Sequence, residues 1–292
     1  MKRTKKNSGP PDAILTSDWH LREDQPICRT DDFVKSQWTK VAEVKRLQKK
    51  HNCPVIHAGD LFHHWKASPY LITKCITDLP DQFYTVYGQH DLPQNTMDLA
   101  WKSGVNTLKQ AGRLAVLEDG NWGQVPEKGI SIGNRKVGVW HHLTYITKPF
   151  PGASDGMAEA ILKKYKDFDV MLTGDNHQQF VTERDGRVLV NPGPLTRQKA
   201  DEINHQPSVY FYYAKSNTVQ SHKLPFDDQA VSRQHVDDKE ERNERIEAFI
   251  NKINDEWETS LDFNENLKRF FVSNKTSKQV RTIITKALEE EQ

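Results

Sequence analysis

The chain has 292 residues and 36% apolar content, enough to bury one sizeable core with or without an appendage. Lysine and arginine total 41 against 40 aspartates and glutamates, so no global basic field draws it to nucleic acid, and any such affinity must be local. Cys28, Cys53 and Cys75 lack CxxC spacing, which argues against a disulfide framework, and no run of about 18 apolar residues marks a membrane span, so a reducing cytoplasm is expected.

Residues 1–12 are expected to form a flexible basic tail, and they lack the apolar stretch of a signal peptide. Residues 13–17 (AILTS) read as a short buried strand that delivers Asp18 and His20 at its end. A helix is expected over about residues 31–51, where Phe33, Val34, Val41, Val44 and Leu47 recur among charges until Pro54 stops it. Residues 55–58 (VIHA) form a second strand followed by Gly59-Asp60. A helix over 69–79 and a strand over 83–87 lead to Gly88-Gln-His-Asp91. From about residue 114 the pattern becomes hairpins: 130–132 with 136–140, 180–183 with 187–190, and 208–213 with 219–223. Alternating strands and helices that give way to hairpins predict an α/β core with two sheets, spanning 13–225. Residues 226–292 hold 16 acids against 11 bases. One helical stripe there combines Ile246, Phe249, Ile250, Ile253 and Trp257, and another Val280, Ile283, Ile284, Ala287 and Leu288. They predict a helical C-terminal extension that caps the core or docks a partner.

Five polar clusters follow predicted strands: Asp18-x-His20, Gly59-Asp60, Gly88-Gln-His-Asp91, Trp140-His-His142 and Gly174-Asp-Asn-His177. Side chains at neighbouring strand ends converge on one edge of a sheet, where α/β folds place their ligands. Carboxylates, an amide and imidazoles without thiolates suit divalent transition metals. Two ions sharing one aspartate, about 3.5–4 Å apart, can activate a water and clamp a phosphate.

Over residues of about 13–223 this series resembles the calcineurin-like metallophosphoesterases, whose pattern is DxH, GDxx, GNH(D/E), a strand-end His and GHxH. Within that family, Gly59-Asp-Leu-Phe-His63 with Ser68-Pro69 is similar to the SbcD-type DNA nucleases, which pair with an SMC-like ATPase. So is Gly174-Asp-Asn-His-Gln-Gln-Phe180 with Asn191-Pro-Gly-Pro-Leu-Thr-Arg197. A compact chain of this kind resembles the phage or bacterial members. The resemblance implies a two-sheet αββα sandwich with a C-terminal helical extension. It implies that Asp18 and His20 hold a first metal, that Asp60 bridges two metals, and that His177 is a ligand. Gln89 replaces the family asparagine on the second metal, with either His141 or His142 beside it; His141, first after the strand, is favoured. The extra methylene of Gln89 predicts weaker occupancy there. Asp175 stands in place of the first GHxH histidine, and a third carboxylate predicts a preference for Mn2+. By the same resemblance His90 is the general acid, Asp91 its orienter, and His63 a positioner of substrate phosphate.

Arg22, Trp65, Lys66 and Arg197 mix aromatic and basic character near strand ends, a combination suited to stacking on bases and meeting a DNA backbone. The resemblance therefore implies a Mn2+-dependent DNA exo/endonuclease in which a hydroxide bridging two metals attacks the phosphodiester. Its expected partners are DNA, an SbcC-type ATPase bound through the C-terminal helices, and a second copy of the chain, with no membrane. A small-molecule phosphodiesterase or phosphatase is the alternative enzyme, and a weakly catalytic adaptor recruiting a partner through its helical tail is the alternative from another class.

Overall fold

The computed structural model describes residues 9–149, 151–153, 155–255 and 262–289. It divides into two units, Met1–Ser232 and Arg233–Gln292. In the first, β1 (Ala13–Thr16), α1 (Phe33–His51), β2 (Val55–His57), α2 (Pro69–Asp78), β3 (Phe83–Thr85), α3 (Gly104–Gln110) and β4 (Ala115–Val116) are followed by β5 (Ile130–Ile132) and β6 (Arg135–Trp140). Then come α4 (Ala158–Lys164), β7 (Val170–Thr173), β8 (Phe180–Arg184), β9 (Arg187–Asn191), β10 (Ser208–Tyr213) and β11 (Thr218–Lys223).

One sheet has the order β11-β10-β1-β2-β3-β4, with β1 to β4 parallel and β10 antiparallel to β1. The other has the order β5-β6-β7-β9-β8, with β6, β7 and β9 parallel. All three expected hairpins form. Strand alternation assigns residues to layers. Ile14 and Val55 join Val41, Val44 and Leu47 of α1 in one cluster, whereas Ala13, Leu15 and Ile56 face Val137, Val139, Val170 and Leu172 of the second sheet. Met171 and Leu189 pack outward against Ile161 and Leu162 of α4. The result is an αββα sandwich whose central strands β1, β2 and β7 are buried on both faces, which explains their near-continuous apolar runs.

Local signals set the ends. Asp32 caps α1 by accepting a hydrogen bond from Lys35 N, and Ser68 caps α2 with Pro69 in its first turn. Asn52, left-handed at φ 49°, closes α1 before Pro54. Helices α3 and α4 were not expected: with seven residues each, they are too short to display a period. The three cysteines are buried and free.

The first unit extends past residue 225: Ser232 N donates to Cys28 O and Val231 bridges to Arg29. The second unit contains α5 (Gln234–Asp255), α6 (Phe263–Ser273) and α7 (Lys278–Glu289). Its described core is Leu267, Phe270 and Phe271 of α6 with Ile284 and Leu288 of α7. The expected α7 stripe is thus narrower than the sequence suggests, since Val280 and Ile283 are exposed. Of the other stripe, Ile246 is half-buried and Ile250 exposed, and Trp257 lies outside the described residues. Among the described residues no helix is long and apolar enough to cross a membrane.

Candidate metal centre

The C-terminal ends of β1, β2, β3, β6 and β7 point to one edge of the sandwich and carry the five polar clusters there. Beyond β1 and β2 the chain keeps pairing without being regular strand, with Asp18 N donating to Gly59 O at 3.0 Å and His20 N to Asp60 O at 3.0 Å. Asp18, His20, Asp60 and Asp175 all adopt left-handed backbone, with φ of 52°, 44°, 57° and 72°. This region is strained for residues other than glycine and is concentrated at functional sites. The glycines of the motifs serve a different need. A Cβ on Gly88 would lie 2.6 Å from Asp60 Cγ, and one on Gly174 would lie 2.8 Å from His141 Nδ1. Backbone presses on the Asp60 and His141 side chains at these two points.

Asp60 is buried at the centre. Its Oδ1 accepts from His90 N at 2.9 Å, while Oδ2 lies 3.4 Å from His141 Nε2 and 3.7 Å from His20 Nε2. Burial alone would raise its pKa, but His141, His20 and His90 together hold it below the ordinary carboxylate range. His141 Nδ1 lies 2.6 Å from Ala58 O, and Nε2 lies 2.6 Å from Gln89 Oε1. A carbonyl only accepts, so Nδ1 carries the hydrogen, and in the neutral ring the Nε2 lone pair then faces two oxygens. That arrangement calls for a positive centre, either a proton or a metal cation. Burial opposes the proton, yet Asp60 and, beyond it, Asp18 and Asp175 push His141 up to about 10.

The other side is built alike. His177 Nδ1 lies 2.5 Å from Glu202 Oε1, which turns its Nε2 toward His20 Nε2 at 3.2 Å. Burial lowers His177, but Glu202 and Asp18 hold it above its usual value, whereas burial keeps His20 well below. Asp18 Oδ1 accepts from Asp175 N at 3.0 Å, and Oδ2 is buried without a hydrogen-bond partner. Burial pushes Asp18 up to about 6. Among the described residues, convergent donors form three groups: Asp18–Asp60–His141, Asp18–His20–His177 and His20–His63–His90. An orphaned buried oxygen and paired imidazole lone pairs, all oxygen and nitrogen donors, fit divalent cations.

Gln89 bridges His141 to the fourth carboxylate of the site, its Nε2 donating to Asp175 Oδ1 at 2.6 Å. His142 instead stacks on Trp140 at 4.0 Å, so His141 is the histidine that reaches the cluster. His90 stands at the exposed rim with Nδ1 2.8 Å from His63 O, and the two rings lie 5.7 Å apart. Burial, followed by Arg22, lowers His63 to about 4.

Two expectations need correction. Asp91 does not orient His90. The short turn Gln89–Asp91 sends it inward, where it is fully buried and accepts from Leu61 N, Phe62 N and Gly88 N at 3.0–3.1 Å. It ties the β2 and β3 loops together, and burial raises it to about 7. Arg197 is only 2% exposed, donates to Ile203 O and Asp227 O, and lies over the Phe226 ring, so it cannot meet a DNA phosphate. Arg22 has only 17% of its side chain exposed and is paired with Asp24, Trp65 is half-buried, and Lys66 is exposed. The reading also missed Glu202, the partner of His177. Only its place after the Arg197-Gln-Lys199 loop could have hinted at it.

Comparison with solved structures finds matches at low identity. An archaeal phosphodiesterase shares 15% identity with a TM-score of 0.44, covering 73% of this chain and 99% of its own. Vps29 from Entamoeba histolytica shares 17% at a TM-score of 0.37, covering 74% and 99%. A predicted phosphoesterase from Streptococcus pneumoniae shares 15% at 0.36, covering 75% and 100%. At the level of families, residues 13–213 match the calcineurin-like phosphoesterase superfamily domain, and that match takes in β1 through β10 with every strand-end cluster described above. The chain belongs to the calcineurin-like phosphoesterase superfamily.

Proposed function

We propose that this protein is a DNA nuclease that hydrolyses phosphodiesters with two divalent cations, preferably Mn2+. Asp18, His20, Asp60 and His177 would hold one, and Asp60, Gln89, His141 and Asp175 the other. The observation that carries this reading is a pair of buried carboxylates set between two histidine groups: Asp60 Oδ2 lies 3.4 Å from His141 Nε2 and 3.7 Å from His20 Nε2, and Asp18 converges with Asp60 and His141 on one side and with His20 and His177 on the other. When bound, such a pair supplies Lewis-acid polarisation of the phosphate and a water made nucleophilic near neutral pH.

The chain's own groups do the rest. His90 Nδ1 carries the hydrogen that faces His63 O, so Nε2 at the rim is the atom that would give a proton to the departing oxygen when the ring is the imidazolium, returning it to the neutral Nδ1–H form. His63, neutral at ordinary pH, stands beside it for the phosphate. Glu202 fixes the tautomer and direction of His177. Asp175 and Gln89 enrich the second donor set in oxygen, which favours Mn2+ over softer cations. The choice of DNA over other esters is supported by the SbcD-like segments at residues 59–69 and 174–197, and by Trp65 and Lys66 immediately after His63. Extending the same resemblance, the C-terminal helices dock an SMC-like ATPase.

The test is hydrolysis of labelled single- and double-stranded DNA with Mn2+, Mg2+ or EDTA, run beside His90→Ala. Cleavage that requires both Mn2+ and His90 is expected. Hydrolysis of bis-p-nitrophenyl phosphate without DNA cleavage would move the substrate to small phosphodiesters.

A further inference from the structure

Two segments leave the His63/His90 pair side by side. They are joined first where His90 Nδ1 meets His63 O at 2.8 Å, and again where Gly104 N donates to Trp65 O at 2.8 Å. Between His63 and Trp65 the backbone can span at most about 7 Å, so the second junction is close to the catalytic rim. Just before Gly104, on the short helix Met97–Lys102, stands Trp101 with 66% of its surface exposed. The other described tryptophans are buried or half-buried. Lys102 Nζ lies 4.9 Å from the Trp101 ring centroid, and on the neighbouring segment Lys66 is exposed beside Trp65. Asp98 and Glu23 are nearby acids, Glu23 being engaged by Ser68 Oγ. The backbone beneath is fixed: Asn106 Nδ2 donates to Trp101 O at 3.0 Å, and Gly104 packs against Ala67 and Phe62.

An indole held outward on a fixed backbone, with the Lys102 ammonium over one face, offers what a nucleotide needs: the other face for the base and a cation for the backbone. In a duplex both faces of every internal base are covered by its neighbours, so away from duplex ends this surface selects unpaired bases. We infer that Trp101 and Lys102, with Trp65 and Lys66, form a stacking platform for single-stranded polynucleotide beside the catalytic rim. This rests on the nuclease reading and names residues that would hold its substrate.

The experiment is anisotropy of fluorescein-labelled oligo(dT) and of a matched duplex in EDTA, using the full chain, Trp101→Ala and Trp101→Phe. Hydrolysis of bis-p-nitrophenyl phosphate with Mn2+ is measured in parallel. Loss of one stacked base corresponds to a decrease of roughly 5- to 150-fold in single-strand affinity. Trp101→Ala is expected to show it, Trp101→Phe to recover part of it, and duplex binding and small-ester hydrolysis to stay unchanged. Lys102→Gln should flatten the salt dependence of single-strand binding. Single-strand affinity within twofold of wild type in Trp101→Ala, or an equal loss for duplex, overturns the platform while leaving DNA cleavage by the wild type standing. Failure of the wild type to bind or cleave any DNA overturns both readings.

Discussion

Replacing Gly88 by alanine tests whether the site depends on backbone pressed against Asp60. Gly88 has an ordinary φ of −94°, so alanine meets no backbone penalty there and the effect is steric. Its Cβ would lie 2.6 Å from Asp60 Cγ and nearer still to Oδ1, against 3.4–4 Å for ordinary contact. The carboxylate or the loop must then move by roughly 1 Å, several times the ~0.2 Å within which cation–ligand distances are held. Because Asp60 faces both donor sets, both lose it. Mn2+ affinity should fall by at least about 100-fold, beyond the usual effect of disturbing a ligand's supporting partner. Overpacking should also lower stability by about 1–3 kcal/mol. Thermal unfolding with and without Mn2+, joined to calorimetric titration, separates the two effects. At Mn2+ about 100-fold above its Kd the wild type gains about 2.7 kcal/mol per site, and the variant should gain almost nothing at that concentration. A folded Gly88→Ala protein with the wild-type Mn2+ affinity and thermal shift would refute the reasoning.

Glu202→Gln should weaken cation binding by about 10–100-fold in equilibrium dialysis with little change in melting temperature, because His177 loses the carboxylate that aims it. Gln89→Asn cannot span from His141 to Asp175 as Gln89 does, so it frees both groups and should tighten the second Mn2+ in titration calorimetry. Arg197→Ala should lower stability by about 2–4 kcal/mol in urea unfolding, because two backbone carbonyls lose a buried donor, while DNA affinity per folded molecule stays unchanged. Burial, helped by Arg29, lowers Lys40 from 10.5 to about 8. The native state therefore resists protonation, and the penalty, about 3 kcal/mol, is complete below pH 8 and fades as pH rises to 10.5. Lys40→Met should be the more stable protein at pH 7, with its advantage vanishing toward pH 10.5 in chemical denaturation.

The architecture was legible because central strands buried on both faces leave uninterrupted apolar runs, and because β1, β2, β3, β6 and β7 each end in a polar cluster. His141 could be chosen over His142 for the same reason: the first residue after a strand continues its direction. What the sequence did not reveal depends on distance along the chain. Glu202 reaches His177 across 25 residues, and no local spacing encodes that contact. Arg197 carries the residue type of a phosphate binder, but Asp227 and Phe226 close over it. Asp91 follows His90 directly, yet one turn of tight helix sends the two side chains to opposite sides. In α7 the pattern marked five apolar positions, whereas α6 meets only some of them.

The left-handed backbone at Asp18, His20, Asp60 and Asp175 also bears on how such a site endures. Each holds a conformation about 1 kcal/mol or more above an ordinary one, and glycine is at home there. Glycine at Asp18 or Asp175 would relieve strain and remove a carboxylate from the crowded, largely buried edge, so the inert sandwich would be the sturdier one. Drift under selection for folding alone runs toward erasing these residues. A lineage released from the chemistry would lose it by sliding downhill, without needing to break the fold.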